Sequence, residues 1–324
     1  MGRFKSRFAE DLENMILLKV ATNFCEATYL ERAKTFDCFC ERQFPENDLL
    51  TEAIVLAWVK EALDCRTRNV AHSRISFCRT LGDYQKAIGK TPYIPAKNML
   101  SGKTMFVPYI FTDEELAALF EVIDAYKKRS NPFEGILLSV YFRLCYTCGL
   151  RPYECRVLKR IDVDLNSGEL RIINTKWNKS RTIIMSDEMR ELMRKYAFQR
   201  DMKFPESEYF FPARDGGVYS ATQIQSRFKK FYELSRPDVP KELLPAVRVY
   251  NLRHRFATAV MNKWLDEKKD LNARLPYLQT YMGHKEIAST AYYIHLLPEN
   301  LAKSSGVEWD SLNAIIPEVE SWEE

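Results

Sequence analysis

Apolar residues recur at three- and four-residue intervals in three segments near the amino terminus, residues 20–42, 51–63 and 67–87. This spacing matches the 3.6-residue turn of an α-helix, so each segment is predicted to form a helix that buries one of its faces. Taken together, the three segments predict a small all-helical domain over residues 1–105.

Proline and glycine break the helical pattern over residues 92–108, which contain the strings Thr-Pro-Tyr-Ile-Pro-Ala-Lys and Ser-Gly-Lys. Such residues favour loops over regular structure. This stretch is therefore the predicted linker to a second domain, residues 106–298. Just beyond it, Thr112 and Glu115 have the spacing of a capping box, which predicts a helix over residues 113–127.

The apolar run at residues 135–147 predicts a buried helix. Gly149 suits the left-handed conformation that ends many helices, and Pro152 suits the first position of the next one. Arg151 is then expected in a tight turn between two helices, held in place but exposed on one side. That is a suitable position for a catalytic cation.

Residues 169–176 and 181–185 are rich in β-branched side chains and are separated by a short polar stretch, residues 177–180. They are predicted to form an antiparallel hairpin. Ser186 and Ser220 have the features of helix N-caps, and the chain from there to about residue 293 is predicted to be helical with short loops. The expected fold class is therefore mainly α, with one small β-hairpin in the second domain.

The chain has 324 residues, of which 46% are hydrophobic and 28% charged, so it is expected to fold into more than one globular domain. No apolar run approaches the ~18 residues of a membrane span. The basic amino terminus is not followed by the apolar stretch of a signal peptide. We therefore expect a protein that works in the cytoplasm without membrane contact.

The eight cysteines are irregularly spaced, which favours buried thiols over a disulfide framework. Cys145 and Cys148 have the spacing of a metal-binding knuckle, but no second pair of ligands follows at a zinc-finger interval. No metal ion is expected.

The net charge of +4 is unevenly distributed. Residues 106–298 carry 31 Lys and Arg against 24 Asp and Glu, whereas residues 299–324 carry 1 against 7. A basic body suits a partner rich in phosphate, because neutralising phosphates releases counterions. Charge alone is equally compatible with an ordinary surface of mixed charge and an acidic tail.

Four short motifs follow one another in the second domain. They are Gly149-Leu-Arg151-Pro-Tyr-Glu154, Tyr250-Asn-Leu-Arg253-His254, Gly283-His284 and Ala291-Tyr-Tyr293-Ile-His295. His284 stands nine positions before Tyr293, and a second histidine follows that tyrosine. In order and spacing the motifs resemble the active site of the tyrosine recombinases, the phage integrase family, over roughly residues 107–298. The string that ends in Gly283-His284 looks most like integrases of bacterial transposons and other mobile elements.

The resemblance implies a site-specific recombinase or integrase that cleaves and rejoins DNA. Tyr293 would attack a phosphate and become linked to its 3′ end, while Arg151 and Arg253 would grip the phosphate oxygens. Arginine suits this role because its planar guanidinium presents a fork of donors. His284 would donate to a non-bridging oxygen, and Glu154 would orient the site. Neither ATP nor a metal or other cofactor is expected.

The leaving 5′ oxygen needs a proton, which the family takes from the first lysine of a Thr-Lys-x-x-Lys hairpin loop. By resemblance this is Lys176, although Lys179 lies three residues further on and could also reach. Lys179 and Arg181 are also expected to contact DNA.

The chain departs from the family pattern at Tyr250, where most members have a histidine that is thought to help as a general base. A helix would still project Tyr250 beside Arg253, and its hydroxyl could bind a phosphate oxygen. A phenol is a poor proton acceptor at neutral pH. The departure therefore predicts strand cleavage with weaker or differently routed base catalysis.

Two further residues near the motifs have competing interpretations. His254 directly follows Arg253 and is expected to be a buried, hydrogen-bonding histidine rather than a catalyst. Tyr292 is the alternative nucleophile, but only Tyr293 has the nine-residue interval from His284.

In the amino-terminal domain, Arg68, His72 and Arg79 share one helix face and could contact DNA, although an ordinary solvated face is equally compatible with the sequence. The partner implied by the resemblance is double-stranded DNA, bound by a homotetramer that joins two sites. The tail, residues 299–324, would dock on a neighbouring protomer or fold back on its own domain.

Two other functions remain compatible with the motifs. One is a type IB topoisomerase, which shares the nucleophile and the arginines but relaxes supercoils as a monomer. The other is a DNA-binding member of the family with impaired catalysis, a possibility raised by Tyr250.

Overall fold

The structure is a computed structural model that describes residues 3–22, 24–65, 67–100, 108–126, 131–173 and 180–296. The chain divides into two compact units, Met1–Phe106 and Val107–Glu324. Within the described ranges, no helix combines the length and the apolar character that a membrane crossing requires.

The first unit is all-helical, as its periodicity predicts. Its helices are α1 (Ala9–Ala21), α2 (Glu26–Gln43), α3 (Glu52–Cys65) and α4 (Arg68–Ala87). The sequence-based prediction did not include α1, and it merged the end of α1 with α2 into one segment. The four helices enclose a core of buried aromatic rings, in which Phe36 lies 5.0 Å from Trp58 and 5.6 Å from Phe77 between ring centroids.

The second unit begins with two helices that pack together, α5 (Asp113–Ala125) and α6 (Pro132–Thr147). The predicted capping box at Thr112 is present: its side chain accepts from the Glu115 amide, and the Glu115 carboxylate accepts from the Thr112 amide. Most of α6 is buried, and Gly149 follows it at φ +57° in the predicted left-handed conformation. The short helix α7 (Pro152–Arg156) then starts with proline at its first position, as predicted.

A three-stranded antiparallel sheet follows, with strands in the order β1 (Val163–Asp164), β2 (Glu169–Ile172) and β3 (Arg181–Ile184). The hairpin of β2 and β3 is the predicted one, and it pairs Leu170 with Ile183. Strand β1 was not predicted, because two residues are too short to show an alternating pattern. A 3₁₀ helix, Arg160–Asp162, leads into the sheet.

The remaining elements are helices, as predicted, but the connections over residues 204–220 and 235–249 are long, whereas short loops were predicted. The helices are α8 (Asp187–Lys203), α9 (Ala221–Leu234), α10 (Tyr250–Asp266), α11 (Leu271–Met282) and α12 (Ala288–Ala291), with 3₁₀ helices at Lys241–Leu243 and Tyr292–Leu296. The predicted caps Ser186 and Ser220 accept hydrogen bonds from the third residues of α8 and α9. Helix α6 contacts α5, α8 and α10, so it forms the centre of this unit and fixes the start of α10 beside the turn that carries Arg151.

Candidate active site

Four parts of the second unit meet at one place: the turn between α6 and α7, the first turn of α10, the end of α11 and the final 3₁₀ helix. They contribute Arg151, Arg253, His284 and Tyr293 respectively. Hydrogen bonds and ring contacts link these segments directly, although more than a hundred residues separate the first from the last. The site is therefore assembled by tertiary packing. Its four side chains lie at or near the ends of helices, which bring them into contact.

Arg253 lies fully buried at the centre of the site. Its Nη1 donates to the carbonyl of Gly149 at 2.6 Å, and its Nη2 donates to the carbonyl of Met282 at 2.8 Å. Within the part of the chain that the structure describes, its buried Nε has no hydrogen-bond partner. A buried charged donor without an acceptor is costly, so this atom is suited to receive an oxygen of a bound anion.

Two glycines in the left-handed conformation supply backbone carbonyls to the two arginines. Gly149 accepts from Arg253, and the carbonyl of Gly283 accepts from Nη2 of Arg151 at 2.9 Å. At Gly283 φ is +70°, and a Cβ there would lie 2.8 Å from Nη1 of Arg181. A Cβ on Gly149 would lie 2.4 Å from the ring of Phe256. Both positions therefore require glycine for conformation and for space.

The carboxylate of Glu154 holds two arginines in place. Its Oε1 accepts from Nη1 of Arg151 and Nη1 of Arg181, both at 2.9 Å, and its Oε2 accepts from Nη2 of Arg181 at 2.7 Å. Burial favours a higher pKa for Glu154, but the hydrogen bond and charge of Arg181, with the charges of Arg253 and Arg151, outweigh burial and lower the pKa to about 2. Glu154 is thus ionised and pairs with both arginines.

His284 is held in one tautomer by its neighbours. Nη2 of Arg253 lies 2.9 Å from Nε2 of His284, and an arginine can only donate, so Nε2 is an acceptor. The proton is therefore on Nδ1, which lies 2.8 Å from the hydroxyl of Thr290. Burial, followed by the positive charge of Arg253, lowers the pKa of His284 well below its usual range. The ring is neutral at neutral pH.

Tyr293 is 2% exposed and lies between the two histidines. Its ring stacks near that of His284, with centroids 6.1 Å apart and planes at 16°. Its hydroxyl lies 3.1 Å from Nδ1 of His254. Burial, and then the charge of Arg253, lower the pKa of His254 to about 4, so this imidazole is also neutral at neutral pH.

Tyr250 occupies the first position of α10, one turn before His254. Its ring lies 4.9 Å from that of His254 between centroids, and its centroid is 6.0 Å from Cζ of Arg253. Tyr250 therefore projects beside Arg253, as a helix at this position predicts.

Lys176 and Lys179 fall outside the described residues, as does the tail, residues 299–324. Arg181 was predicted to contact DNA, but its side chain is only 9% exposed and its guanidinium is bound to Glu154 and to the carbonyl of Tyr281. In this structure Arg181 braces Glu154.

The predicted DNA-contacting residues of the first unit all lie on α4. Arg68 is exposed, whereas His72 and Arg79 are half-buried. They belong to the other compact unit, and the helix presents them along one face.

Sequence reasoning missed two contributions to the site. Thr290, whose hydroxyl accepts from Nδ1 of His284, is a buried residue that no motif marks. His254 was expected to be buried and hydrogen-bonded, which it is, but its partner was not foreseen. The four-residue spacing of Tyr250 and His254 was the available signal, because it puts both rings on one face of α10.

Five of the eight cysteines are buried, as predicted, whereas Cys25, Cys38 and Cys65 are exposed. Sγ of Cys145 lies 3.4 Å from Sγ of Cys155, and both residues are buried. Among the residues that the structure describes, no group of three or more His, Cys, Asp or Glu is arranged to hold a metal ion.

Chemically, this arrangement places a phenol hydroxyl and neutral imidazoles beside two buried or half-buried guanidinium groups. Such a site attracts an anion, and the fixed donors can stabilise negative charge that grows on its oxygens. The phenol is the nucleophile available to attack that anion.

Comparison with known proteins gives a consistent family. Residues 110–300 match the family model described as the phage integrase family. Putative integrase/recombinase y4rE of Sinorhizobium fredii is 35% identical over 191 residues, which are 58% of this chain and 59% of that protein. The tyrosine recombinase XerC of Staphylococcus epidermidis is 24% identical over 297 residues, 89% of this chain and 93% of that protein.

Among solved structures, the Tn1549 transposon integrase in complex with transposon right-end DNA superimposes with a TM-score of 0.66. The sequence identity is 14%, and the match covers 90% of this chain and 96% of that one. At this identity the similarity establishes a shared fold.

Proposed function

This chain belongs to the phage integrase family, that of the tyrosine site-specific recombinases, and we propose that its site cleaves and rejoins DNA. The proposed intermediate is a 3′-phosphotyrosyl link. The observation that carries the proposal is the meeting of Tyr293 with His254 and His284 beside buried Arg253. Residues 106–298 are then the catalytic domain, and residues 1–105 are a core-type DNA-binding domain.

In this mechanism Tyr293 attacks the scissile phosphate and becomes joined to the 3′ side of the break, releasing a 5′ hydroxyl. The bond energy is kept in the phosphotyrosyl link, so rejoining needs no ATP. The reverse attack by a 5′ hydroxyl, from the same or another strand, restores the DNA backbone.

Arg151 and Arg253 bind the non-bridging oxygens of that phosphate. Arg253 contributes its buried Nε, and Arg151 turns its 16%-exposed side chain toward the incoming strand. Removing one preorganised donor of this kind typically slows catalysis by about 10²–10³-fold. Glu154 keeps Arg151 aimed at the phosphate and is a positioning residue.

His284 assists at the same phosphate. Its Nε2 accepts from Arg253, so it donates to a phosphate oxygen only after Arg253 shifts its hydrogen bond to the DNA and the imidazole gains or relocates a proton. The negative phosphate favours both changes, because it offsets the positive charges that keep this imidazole neutral.

The leaving 5′ oxygen receives its proton from Lys176, with Lys179 as the alternative donor. Both follow β2 in the stretch that leads to β3, and Arg181, the first residue of β3, is bound to Glu154. That contact ties the start of β3 to Glu154 and Arg151, which supports a role at the phosphate for the stretch that precedes β3.

Double-stranded DNA is the proposed partner. The basic balance of residues 106–298 supports this, together with the face of α4 that carries Arg68, His72 and Arg79. These contacts would position the duplex, since contacts to phosphates carry no sequence information. Such a protein works in the cytoplasm, associated with the nucleoid.

We further propose that four copies assemble on two DNA sites and that the tail, residues 299–324, docks on a neighbouring copy. Its apolar residues at helical spacing, among them Trp309, Leu312 and Ile316, support docking. Deleting residues 305–324 should prevent assembly on DNA, as measured by sedimentation of the protein with its site. Unchanged assembly would refute this part of the proposal.

One observation favours a second candidate, a DNA-binding family member with impaired catalysis: a tyrosine stands at position 250 in place of the usual histidine. The two candidates differ in whether the protein forms a covalent adduct.

The test starts from DNA recovered with the protein in cells, which supplies the target site. A nicked duplex of that site, incubated with the protein, should give an adduct that survives denaturant and is absent with Tyr293→Phe. Adduct together with strand exchange supports a recombinase, whereas relaxation of any supercoiled plasmid identifies a topoisomerase. Binding without adduct would overturn the proposed catalysis.

A further inference from the structure

The hydroxyl of Tyr293 has a basic nitrogen next to it that the family pattern does not assign to it. Nδ1 of His254 lies 3.1 Å from that hydroxyl, within hydrogen-bond reach of the proton that the nucleophile must lose. The ring centroids of the two side chains are 5.5 Å apart. The contact joins α10 to the final 3₁₀ helix, so it depends on the folded unit.

Three other described side chains near this contact, those of His284, Arg253 and Tyr250, are less suited to take the proton of Tyr293. Nε2 of His284 accepts from Arg253, and Nδ1 of His284 faces the hydroxyl of Thr290. Arg253 only donates. Tyr250 carries a phenol, which holds its own proton at neutral pH under ordinary conditions.

We propose that His254 is the general base for Tyr293, in place of the histidine that position 250 lacks. This inference rests on the proposed cleavage reaction and adds a catalytic residue to it. The base would then lie at His254 instead of at position 250. His254 is one turn further along α10 than Tyr250, on the same face of the helix.

Cleavage by this route exchanges one bond at phosphorus and moves two protons. The oxygen of Tyr293 forms a bond to phosphorus while its proton moves to Nδ1 of His254, giving an imidazolium ion. The bond from phosphorus to the 5′ oxygen breaks, and that oxygen keeps the electron pair and takes a proton from Lys176. In rejoining, the 5′ hydroxyl attacks phosphorus and gives its proton back to Lys176. The bond from phosphorus to the tyrosine oxygen breaks, and the imidazolium returns its proton to that phenolate oxygen.

The electrostatic surroundings make this base dependent on the substrate. The groups that face His254 are Arg253 and Tyr250 on its own helix, Tyr293 on the final 3₁₀ helix, and His284 after α11. Burial and the charge of Arg253 hold the pKa of His254 at about 4, so the imidazole is neutral in the free protein. The proposed role uses the tautomer with its proton on Nε2, in which Nδ1 accepts from the hydroxyl of Tyr293. An imidazolium next to Arg253 is unfavourable until a phosphate anion neutralises the arginine, so proton transfer is coupled to DNA binding.

His254→Asn is the matched variant for a test. The asparagine amide can occupy the position of Nδ1 and keep a hydrogen bond to Tyr293, but it is not a base. Cleavage of the nicked duplex in a single turnover should fall about 10²–10³-fold, in the range of general-base effects. Binding of the duplex and the unfolding midpoint should stay close to wild type.

Three readouts separate a base from a merely structural residue. With His254→Asn the cleavage rate should rise about tenfold per pH unit between pH 6 and 8, since solvent must remove the proton, whereas the wild-type rate should be nearly flat. A duplex with sulfur in place of the leaving 5′ oxygen should rescue Lys176→Ala but not His254→Asn. Added imidazole should partly restore cleavage by His254→Ala.

Wild-type cleavage rates with His254→Asn, or rescue of this variant by the sulfur-containing duplex, would overturn the assignment while leaving the recombinase function intact. If the wild-type protein itself forms no adduct, the proposed function fails and this inference fails with it.

Discussion

Nη2 of Arg253 donates to Nε2 of His284 across 2.9 Å, in the interior of the second unit. This contact places the positive charge of Arg253 beside His284, and that charge helps to keep the imidazole neutral. The contact also makes Nε2 of His284 an acceptor, which leaves the proton of His284 on Nδ1, facing Thr290. A threonine outside every recognised motif thus accepts a hydrogen bond from the histidine that we propose acts at the phosphate.

Thr290→Val should impair cleavage while conserving shape. The variant leaves Nδ1 of His284 without its acceptor, which favours the other tautomer and disturbs the contact with Arg253. We expect a loss of about tenfold or more in the rate of adduct formation, measured in a single turnover, and a decrease of about 1–3 kcal/mol in the free energy of unfolding.

Thr258→Val is the matched control. Thr258 is also buried, but the partners of its hydroxyl among the described residues are carbonyls of its own helix, those of His254 and Arg255. The rate of adduct formation by Thr258→Val should stay within a few-fold of the wild-type rate. Equal losses in the two threonine variants would argue against the tautomer account.

Glu154→Gln should destabilise the second unit. It leaves the guanidinium groups of Arg151 and Arg181 without the buried carboxylate that they share, and breaking a buried pair in this way costs about 3–5 kcal/mol. The free energy of unfolding in urea measures the loss. As a control, Glu208→Gln removes a carboxylate from an exposed pair with Lys159 and should change stability far less. Similar values for both variants would contradict the bracing role of Glu154.

Gly283→Ala should reduce both stability and activity. The added Cβ would lie 2.8 Å from Arg181, and the backbone that must shift carries the carbonyl that holds Arg151. Gly89→Ala separates the two effects, because Gly89 also has a positive φ, +87°, but a Cβ there meets nothing within 4 Å. The free energy of unfolding of Gly89→Ala should fall by about 1–2 kcal/mol through backbone strain alone, and its cleavage rate should equal that of the wild type. Cleavage by Gly283→Ala at the control's rate would refute the positioning role.

Acidification should weaken the fold through the two buried histidines. The pKa values of His254 and His284 are lower in the folded chain than the ordinary 6.5, so the unfolded chain binds more protons below that pH. The free energy of unfolding should therefore fall as pH drops from 6.5 toward 4, by up to about 1.4 kcal/mol per pH unit for each histidine. Urea unfolding of the wild type and His254→Asn measures this, and the variant should show the shallower dependence. Identical slopes would contradict the burial of a neutral His254.

Local rules explain why much of the fold was predictable. The capping box of Thr112, the left-handed Gly149, the first-position Pro152 and the hairpin strands each depend on a few neighbouring residues. The family prediction was confirmed for the same reason, because its motifs are short and their intervals fixed. Strand β1 and helix α1 were missed: the first is too short to show a period, and the second ends within a segment assigned to its neighbour.

The site contacts were less predictable because they join residues that are far apart in sequence. His254 and Tyr293 are separated by 39 positions, and Arg181 and Glu154 by 27. The residues next to Arg181 in the sequence do not indicate that its guanidinium will bind Glu154 and be buried. Such pairings follow from the packing of α6, α10 and α11 and require coordinates.

The central claim is that the oxygen of Tyr293 becomes the covalent link to DNA, and mass spectrometry of the adduct tests it most directly. The protein trapped on a nicked duplex is digested with nuclease and protease, and fragmentation locates the tyrosine that carries the nucleotide. The account predicts the modification on Tyr293, retained in Tyr292→Phe and lost in Tyr293→Phe. A nucleotide found on Tyr292, or on any residue other than Tyr293, would contradict it.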